Sequence, residues 1–312
     1  MSRKIKRRQL LIQGILGTFS LIGLDKIFSH FASSSNPTLA SPLNKNPDSS
    51  PSPPQDSDNL LLRFVSVADT GTGASGQYEV ANAMTHHYRQ NPYPLVILAG
   101  DNIYNEGEIE KVDEVFEEPY APLLQHGVQF HACLGNHDIR TDNGTPQVHY
   151  PGFHMQGRRY YTFQQGPVQF FALDTNHNAD WAQQLPWLKQ ALANSNALWK
   201  IVFGHHQIYA SGVYGPNNAA WVQPVKDLMK QYGVKLYING HEHHYERTEP
   251  INGITYLTCG GGAGTRPVGR SPWTEFVAQR LSFAAYEVYA NRIEIQGIGT
   301  NHQVFDRGMV SN

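Results

Sequence analysis

LVILAGDNIYNEG, residues 95–107, is apolar from Leu95 to Ala99 and turns polar at Gly100-Asp101-Asn102, with Tyr104 three positions after the aspartate. Five consecutive apolar residues read as a strand buried on both faces. Asp101 therefore stands where that strand leaves the core. A turn would be satisfied by Gly-Asp-Asn alone, so the phenol behind it asks for a chemical reason.

Runs of the same kind recur at 61–68, 128–134, 160–163, 168–173, 199–203, 235–238 and 254–259. Helical patterns lie between several of them, over 77–90 and 219–232. In ADWAQQLPWLKQALANS (179–195), Trp181, Leu185, Leu188 and Leu192 share one face at helical spacing. LSFAAYEVYANRIEIQGIG (281–299) reads as a hairpin turning at Ala290-Asn291-Arg292. Strands alternating with helices, then a hairpin, predict an α/β fold with mixed sheets.

Polar residues with metal-ligand chemistry gather where these strands end. Asp69 follows RFVSVA, Asp101 and Tyr104 follow LVILAG, and Asn136, His137 and Asp138 follow FHACLG. His205 and His206 follow KIVFG, and His241 and His243 follow KLYING. Ligands of open α/β sheets bind outside the carboxyl ends of strands. Asp69, Asp101, Tyr104, Asn136, His205, His241 and His243 make seven donors, more than one tetrahedral zinc uses. With one bridging carboxylate they supply two ions, with open positions left for water and substrate. Oxygen ligation with a phenolate suits a hard trivalent ion, and imidazoles with an amide suit a divalent one.

The blocks Asp69-Thr-Gly71, Gly100-Asp101-Asn-Ile-Tyr104, Gly135-Asn136-His137-Asp138, Val202-Phe-Gly-His205 and Gly240-His241-Glu-His243 resemble, in order, the five blocks of the purple acid phosphatases. Those are calcineurin-like metallophosphoesterases, and the match spans roughly 60–300. HYERT after the last block adds to it. The chain looks most like the compact single-domain type, such as tartrate-resistant acid phosphatase. The resemblance implies two mixed β-sheets packed as a sandwich and flanked by helices. It further implies that Asp69, Tyr104 and His243 hold Fe(III), whose tyrosinate would colour the protein purple. Asn136, His205 and His241 would hold a divalent Fe, Zn or Mn, with Asp101 bridging. That is the expected reason for Tyr104.

The expected activity is hydrolysis of phosphate monoesters by in-line attack of a metal-bound hydroxide. Two carboxylates and a phenolate contribute roughly −3 against about +5 from the ions, so the site attracts a phosphate dianion. His137, beside ligand Asn136, is placed to contact the phosphate or protonate the leaving alcohol. Asp138 is expected to orient His137. Substrates would be phosphorylated small molecules or phosphoproteins, handled by a monomer or weak dimer.

Where related sequences carry a second substrate histidine, about nine residues past the His205 block, this chain has Tyr214, and Gln207 replaces a common proline. Tyr214 and His244 join Asn136 and His137 as expected substrate-binding residues, and His206 is a possible catalytic substitute. His149 and His154, with Arg158 and Arg159, lie in a polar loop that either lines the substrate mouth or is simply solvated. His86, His87, His126, His131, His177 and His302 read as structural or surface residues.

MSRKIKRRQLLIQGILGTFSLIGL opens with five basic residues followed by a mainly apolar stretch of fifteen residues from Leu10 to Leu24. A membrane span needs about 20 residues. A basic start before a shorter apolar run is the pattern of an export signal, and Arg7-Arg8 resembles the twin-arginine type. Residues 1–40 are thus expected to direct export to the periplasm or exterior through transient contact with export machinery, the alternative being an N-terminal anchor. Residues 41–59 read as a disordered Ser/Pro linker, and 60–312 as the metallophosphoesterase domain. Without 1–40, eighteen basic and twenty-five acidic side chains remain, a formal charge of −7, which speaks against nucleic-acid binding. Cys133 and Cys259 make no disulfide framework, though one bridge between them is open.

Two rival functions remain. A phosphodiesterase or nucleotidase of the same superfamily tends to carry Asp-x-His in the first block, where this chain has Gly71. A catalytically dead phosphate-binding module on the same fold would be signalled by lost ligands, and all seven are present.

Overall fold

The computed structural model describes residues 59–312. The expected export signal (1–40) and, but for Asn59, the linker (41–59) lie outside the described residues. In chain order the elements are β1 (Leu62–Val67), α1 (Ser75–Gln90), β2 (Leu95–Leu98), α2 (Glu118–Gln125), β3 (Gln129–Ala132), α3 (Thr145–Val148), β4 (Tyr161–Gln165), β5 (Val168–Ala172) and α4 (Trp181–Ala193). There follow β6 (Trp199–Phe203), α5 (Val222–Gln231), β7 (Leu236–Asn239), β8 (Tyr245–Thr248), β9 (Thr255–Cys259), β10 (Thr274–Ala278), β11 (Ser282–Val288), β12 (Arg292–Gly299) and β13 (Val304–Ser311). No described helix is long and apolar enough to cross a membrane.

The strands form a six-stranded sheet, order β13-β12-β11-β1-β2-β3, and a seven-stranded sheet, order β10-β8-β9-β7-β6-β5-β4. Both are mixed, as expected for the α/β sandwich. β1, β2 and β3 run parallel, as do β5, β6, β7 and β9.

Alternation along the strands explains the layering. Phe170 belongs to the core between the sheets, while its neighbour Phe171 faces the opposite side and joins Val202, Tyr237 and Tyr256 under α4 and α5. Phe64 of β1 stacks on its cross-strand neighbour Tyr286 of β11 at 4.2 Å and meets Phe170 of β5, in the other sheet, edge-on at 5.2 Å. The second pair favours one relative placement of the sheets beyond the area it buries.

The expected helical face over 179–195 is present: Leu188 and Leu192 are buried, and Trp181 and Leu185 pack against the same cluster. Asp180 caps α4 by accepting the Gln183 N–H at 3.1 Å. Cys133 and Cys259 are free, buried thiols, so the open question of a bridge resolves to none.

At one edge the sheets are tied together. The Ala68 N–H donates to the Cys259 carbonyl at 3.1 Å, just past β1 and at the end of β9. The Tyr161 hydroxyl donates to the Ala132 carbonyl at 2.7 Å, joining β4 to β3. The carboxyl ends of β1, β2, β3, β6 and β7 converge there.

Candidate metal centre

All seven expected ligands meet at this edge, each on the loop that follows its strand. Three of them, Asp69, Asp101 and His241, have positive φ of 58°, 54° and 68°. Non-glycine residues enter that region at an energetic cost, and such positions cluster at functional sites. Glycines make room for the ligands. A Cβ on Gly100 would lie 2.6 Å from the His205 ring.

The donor atoms fall into two clusters. In one, the Tyr104 hydroxyl lies 3.1 Å from Asp69 Oδ1, 2.9 Å from Asp101 Oδ2 and 3.3 Å from His243 Nε2. In the other, His205 Nε2 lies 3.1 Å from Asn136 Oδ1, 3.3 Å from His241 Nδ1 and 3.5 Å from Asp101 Oδ2. Asp101 Oδ2 belongs to both. Its other oxygen accepts the His137 backbone N–H at 2.9 Å, and the His241 N–H likewise holds Asp69 Oδ2 at 2.9 Å.

Imidazole tautomers follow from their outer partners. His205 Nδ1 lies 3.0 Å from the Ala99 carbonyl, which accepts only, so Nδ1 carries a proton and Nε2 is the atom turned inward. There it faces an amide oxygen, a carboxylate oxygen and a second imidazole nitrogen. Lone pairs converging on one spot need a proton or a metal cation between them.

The electrostatics agree. Burial works against the Asp69 carboxylate, yet a hydrogen bond from His243 and the charges of His205, His243 and His241 together hold its pKa below the usual value. For His205, burial is outweighed by the Asp101 and Asp69 carboxylates, and its proton affinity rises. His241 is pushed down to about 3, by burial first and then by His205. Burial, with Asp69 and Asp101 beside it, drives the Tyr104 phenol far above its ordinary range. A phenol so placed would release its proton only to a strong Lewis acid. The donor set thus fits two ions sharing Asp101.

The remaining expected residues divide. His137 lines the cavity over the ligands, about 480 Å³ in volume, with Asp69, Tyr104 and His243. Its Nδ1 faces the Asn105 carbonyl at 2.7 Å and its ring lies 4.4 Å from that of Tyr104. The Asn105 carbonyl therefore orients it, and the expectation that Asp138 does so is corrected. Asp138 is buried and accepts the backbone N–H groups of Asn102, Ile103 and Gly135 at 2.7–3.1 Å. It also accepts from the side chains of Asn102 and Gln147. It knits the loops after β2 and β3 together.

His206 lies beside the second cluster, its ring 4.6 Å from that of His241. Its Nδ1 pairs with Thr175 Oγ1 at 2.9 Å. Burial, then the charges of His205 and His241, hold its pKa at about 2, so it has little capacity as an acid. His205, His206 and His241 together form one group able to hold an ion.

His244 is a further correction. It is fully buried, with Nε2 3.2 Å from Glu246 Oε2, and is not among the cavity-lining residues. It joins a polar core of Glu246, Ser211 and Thr274 beneath the site. His149 and His154 line a separate cavity of about 350 Å³ with His131, and Arg159 pairs with Asp174. Neither histidine borders the ligand cavity.

Sequence reasoning missed Arg266, Lys111, Glu114 and Thr72, which also line the mouth. The signal for Arg266 was the glycine-rich CGGGAGTR after β9, a stretch too flexible to place without its contacts.

Residues 62–245 match the family model for calcineurin-like phosphoesterases. Purple acid phosphatase 7 of Arabidopsis thaliana is 29% identical over 244 residues, covering 68% of this chain and 73% of that protein. Tartrate-resistant acid phosphatase type 5 of Mus musculus is 26% identical over 238 residues, covering 64% and 72%. Among solved structures, GAP50, the anchor in the inner membrane complex of Plasmodium, superposes with a TM-score of 0.70 at 21% identity, covering 81% of this chain and 89% of that one.

Proposed function

The chain belongs to the calcineurin-like phosphoesterase family and is a hydrolase of the metallophosphoesterase superfamily, and from that premise we propose that it is an acid phosphatase of the purple type, acting on phosphate monoesters. Asp69, Tyr104 and His243 would hold Fe(III), Asn136, His205 and His241 a divalent Fe, Zn or Mn, and Asp101 both. The observation that carries this reading is the single oxygen, Asp101 Oδ2, 2.9 Å from the Tyr104 hydroxyl and 3.5 Å from His205 Nε2. When bound, such a pair of ions would neutralise phosphoryl charge and lower the pKa of water so that hydroxide is available to attack phosphorus at neutral pH or below.

The protein's own residues do the rest. His137 stands at the cavity with its Nδ1–H committed to the Asn105 carbonyl; its Nε2, 3.4 Å from Arg140 Nη2, would donate to a phosphoryl or leaving-group oxygen only when it also carries a proton. The Asn136 amide nitrogen is free to donate to the same group while its oxygen faces the second cluster. The His137 and His241 backbone N–H groups fix both carboxylates, so the site reorganises little on binding.

Gly71 argues for the monoesterase subgroup over the diesterase reading, because a Cβ there would lie 1.8 Å from the Asn102 carbonyl oxygen and a histidine would force the 102–104 backbone away. Export through the N-terminal signal, phosphorylated small molecules or phosphoproteins as substrates, and a monomeric or weakly dimeric state are part of the same proposal. Tyr214 in place of the usual histidine is the observation that favours a non-catalytic module.

The test is metal analysis, a visible spectrum, and assays on an aryl phosphate and a bis-aryl phosphate, for the wild type and Tyr104→Phe. A purple band absent in Tyr104→Phe, two metals including iron, and faster monoester turnover are expected. A colourless protein with two divalent ions that prefers the diester would support the diesterase. Metal binding without turnover of either ester would support the module.

A further inference from the structure

Tyr214 is 53% exposed, yet its ring is fixed: it stacks on the His241 imidazole at 4.4 Å with 21° between planes. Three successive N–H groups of the loop that carries it are held by one side chain. The Glu242 carboxylate accepts the N–H groups of Val213, Tyr214 and Gly215 at 3.0, 2.6 and 3.0 Å. The Arg266 guanidinium lies 5.5 Å from the centre of the Tyr214 ring, and its Nη1 donates to the Tyr214 hydroxyl at 3.3 Å and to the His241 carbonyl at 3.5 Å. The Arg266 backbone N–H donates to the His243 carbonyl at 2.9 Å. Tyr214 and Arg266 are thus both suspended from the three residues His241–His243, two of which are expected ligands.

Arg266 lines the same cavity as Asp69, Tyr104, His137 and His243, and among the described residues no carboxylate pairs with it. A guanidinium has five N–H donors in a planar fork. Among the described residues only Nη1 is engaged, which leaves Nη2 and Nε to face a ligand.

We propose that Arg266, carried on the Tyr214 ring, grips two non-bridging oxygens of a dianionic phosphate monoester and so selects monoesters over diesters. The inference rests on the phosphoesterase reading above and names its substrate class. Planar bidentate recognition of phosphate is what a guanidinium does and an ammonium does not. A diester carries one negative charge and only two non-bridging oxygens, so it could not give two to the fork and a third to the expected ions, as a monoester dianion could. On this account Tyr214 does not replace a proton-donating histidine. It is a positioning residue, and Arg266 touches the substrate.

The experiment uses the full-length, metal-loaded protein and its Arg266→Met, Arg266→Lys and Tyr214→Phe variants. Three quantities are measured: metal content, the dissociation constant for inorganic phosphate by calorimetry, and KM and kcat on an aryl phosphate and a bis-aryl phosphate. Arg266→Met should weaken phosphate binding and raise the monoester KM by about 10- to 100-fold, the range for a lost hydrogen bond to a charged group. The diester KM should move less than about threefold and the metal content should not change. Arg266→Lys should recover part of the loss as a point charge, and Tyr214→Phe, which keeps the ring, should fall between wild type and Arg266→Met.

Phosphate affinity and ester preference within twofold of wild type in Arg266→Met would overturn the proposal, as would loss of metal in both Arg266 variants. Wild-type turnover that ignores Arg266 leaves the phosphatase reading standing and removes the clamp. Phosphate binding that depends on Arg266 without turnover of either ester keeps the clamp and removes the phosphatase.

Discussion

The backbone N–H of Tyr104 donates to the carbonyl of Gly71 at 2.7 Å. The segment that delivers the phenol therefore runs against the first ligand loop, and that contact leaves no space for a side chain at 71. A Cβ there would lie 1.8 Å from the Asn102 carbonyl oxygen and 2.6 Å from Ile103 N. Glycine at 71 and tyrosine at 104 are one structural choice. A histidine at 71 would require the 102–104 backbone to retreat, and with it Tyr104.

Gly71→Ala is accordingly expected to cost about 3 kcal/mol or more, beyond the common range for overpacking because the clash is with backbone. It should also bleach the visible band by displacing Tyr104. Gly71→His should do the same and gain no diesterase activity. Thermal unfolding and the visible spectrum check both. A Gly71→Ala protein with wild-type Tm and colour would show that the loops part easily and that the argument against the diesterase subgroup is wrong.

Stability should fall as the medium is acidified, for reasons outside the metal centre. Burial, aided by the charge of His154, holds His131 at about 3, and its Nδ1 has no hydrogen-bond partner among the described residues while its ring stacks on Phe163 at 3.7 Å. His87 is held at about 4 by burial, with Glu287 opposing and Arg63 and His86 adding. Both folded-state values lie below the unfolded value of about 6.5. Between pH 6.5 and 4 the unfolded chain thus binds more protons, and folding stability is present above that window and lost on descending through it. Each ring contributes up to about 1.4 kcal/mol per pH unit. His131→Phe, which preserves the stack, should flatten the fall of Tm between pH 6.5 and 4. An unchanged slope would mean that His131 is protonated in the folded protein.

The strand ends were legible because each ligand follows a buried apolar run, and burial and period are what sequence displays. The hairpin β11–β12 and helices α1, α4 and α5 were readable for the same reason. β8, with sequence YERT, was not, because its inward residue Glu246 is buried through hydrogen bonds to Ser211 and Thr274 rather than by apolar contact. β13 carries Asp306, whose carboxylate takes the Tyr245 hydroxyl and the Arg247 guanidinium, and polar pairing of that kind leaves no hydrophobic period. The partnership of Tyr214 with Arg266 joins residues 52 positions apart, a distance that one sequence does not bridge. Asp138 was misread through adjacency: next to His137 in the chain, it turns inward to other backbone.

That last reversal is open to test with Asp138→Asn. The Asp138 oxygens accept from the N–H groups of Asn102, Ile103 and Gly135, so either orientation of an amide sets an NH₂ group against a backbone donor. An unsatisfied buried donor costs about 1–3 kcal/mol, and here both loops that end in expected ligands lose their shared anchor. Asp138→Asn should lower Tm, weaken retention of both metals during dialysis against chelator, and shift the visible band through Tyr104. A catalytic acid or an orienter of His137 behaves otherwise: its loss lowers kcat and alters the pH profile while Tm, metal content and colour stay as in the wild type. That second pattern would return Asp138 to the catalytic machinery.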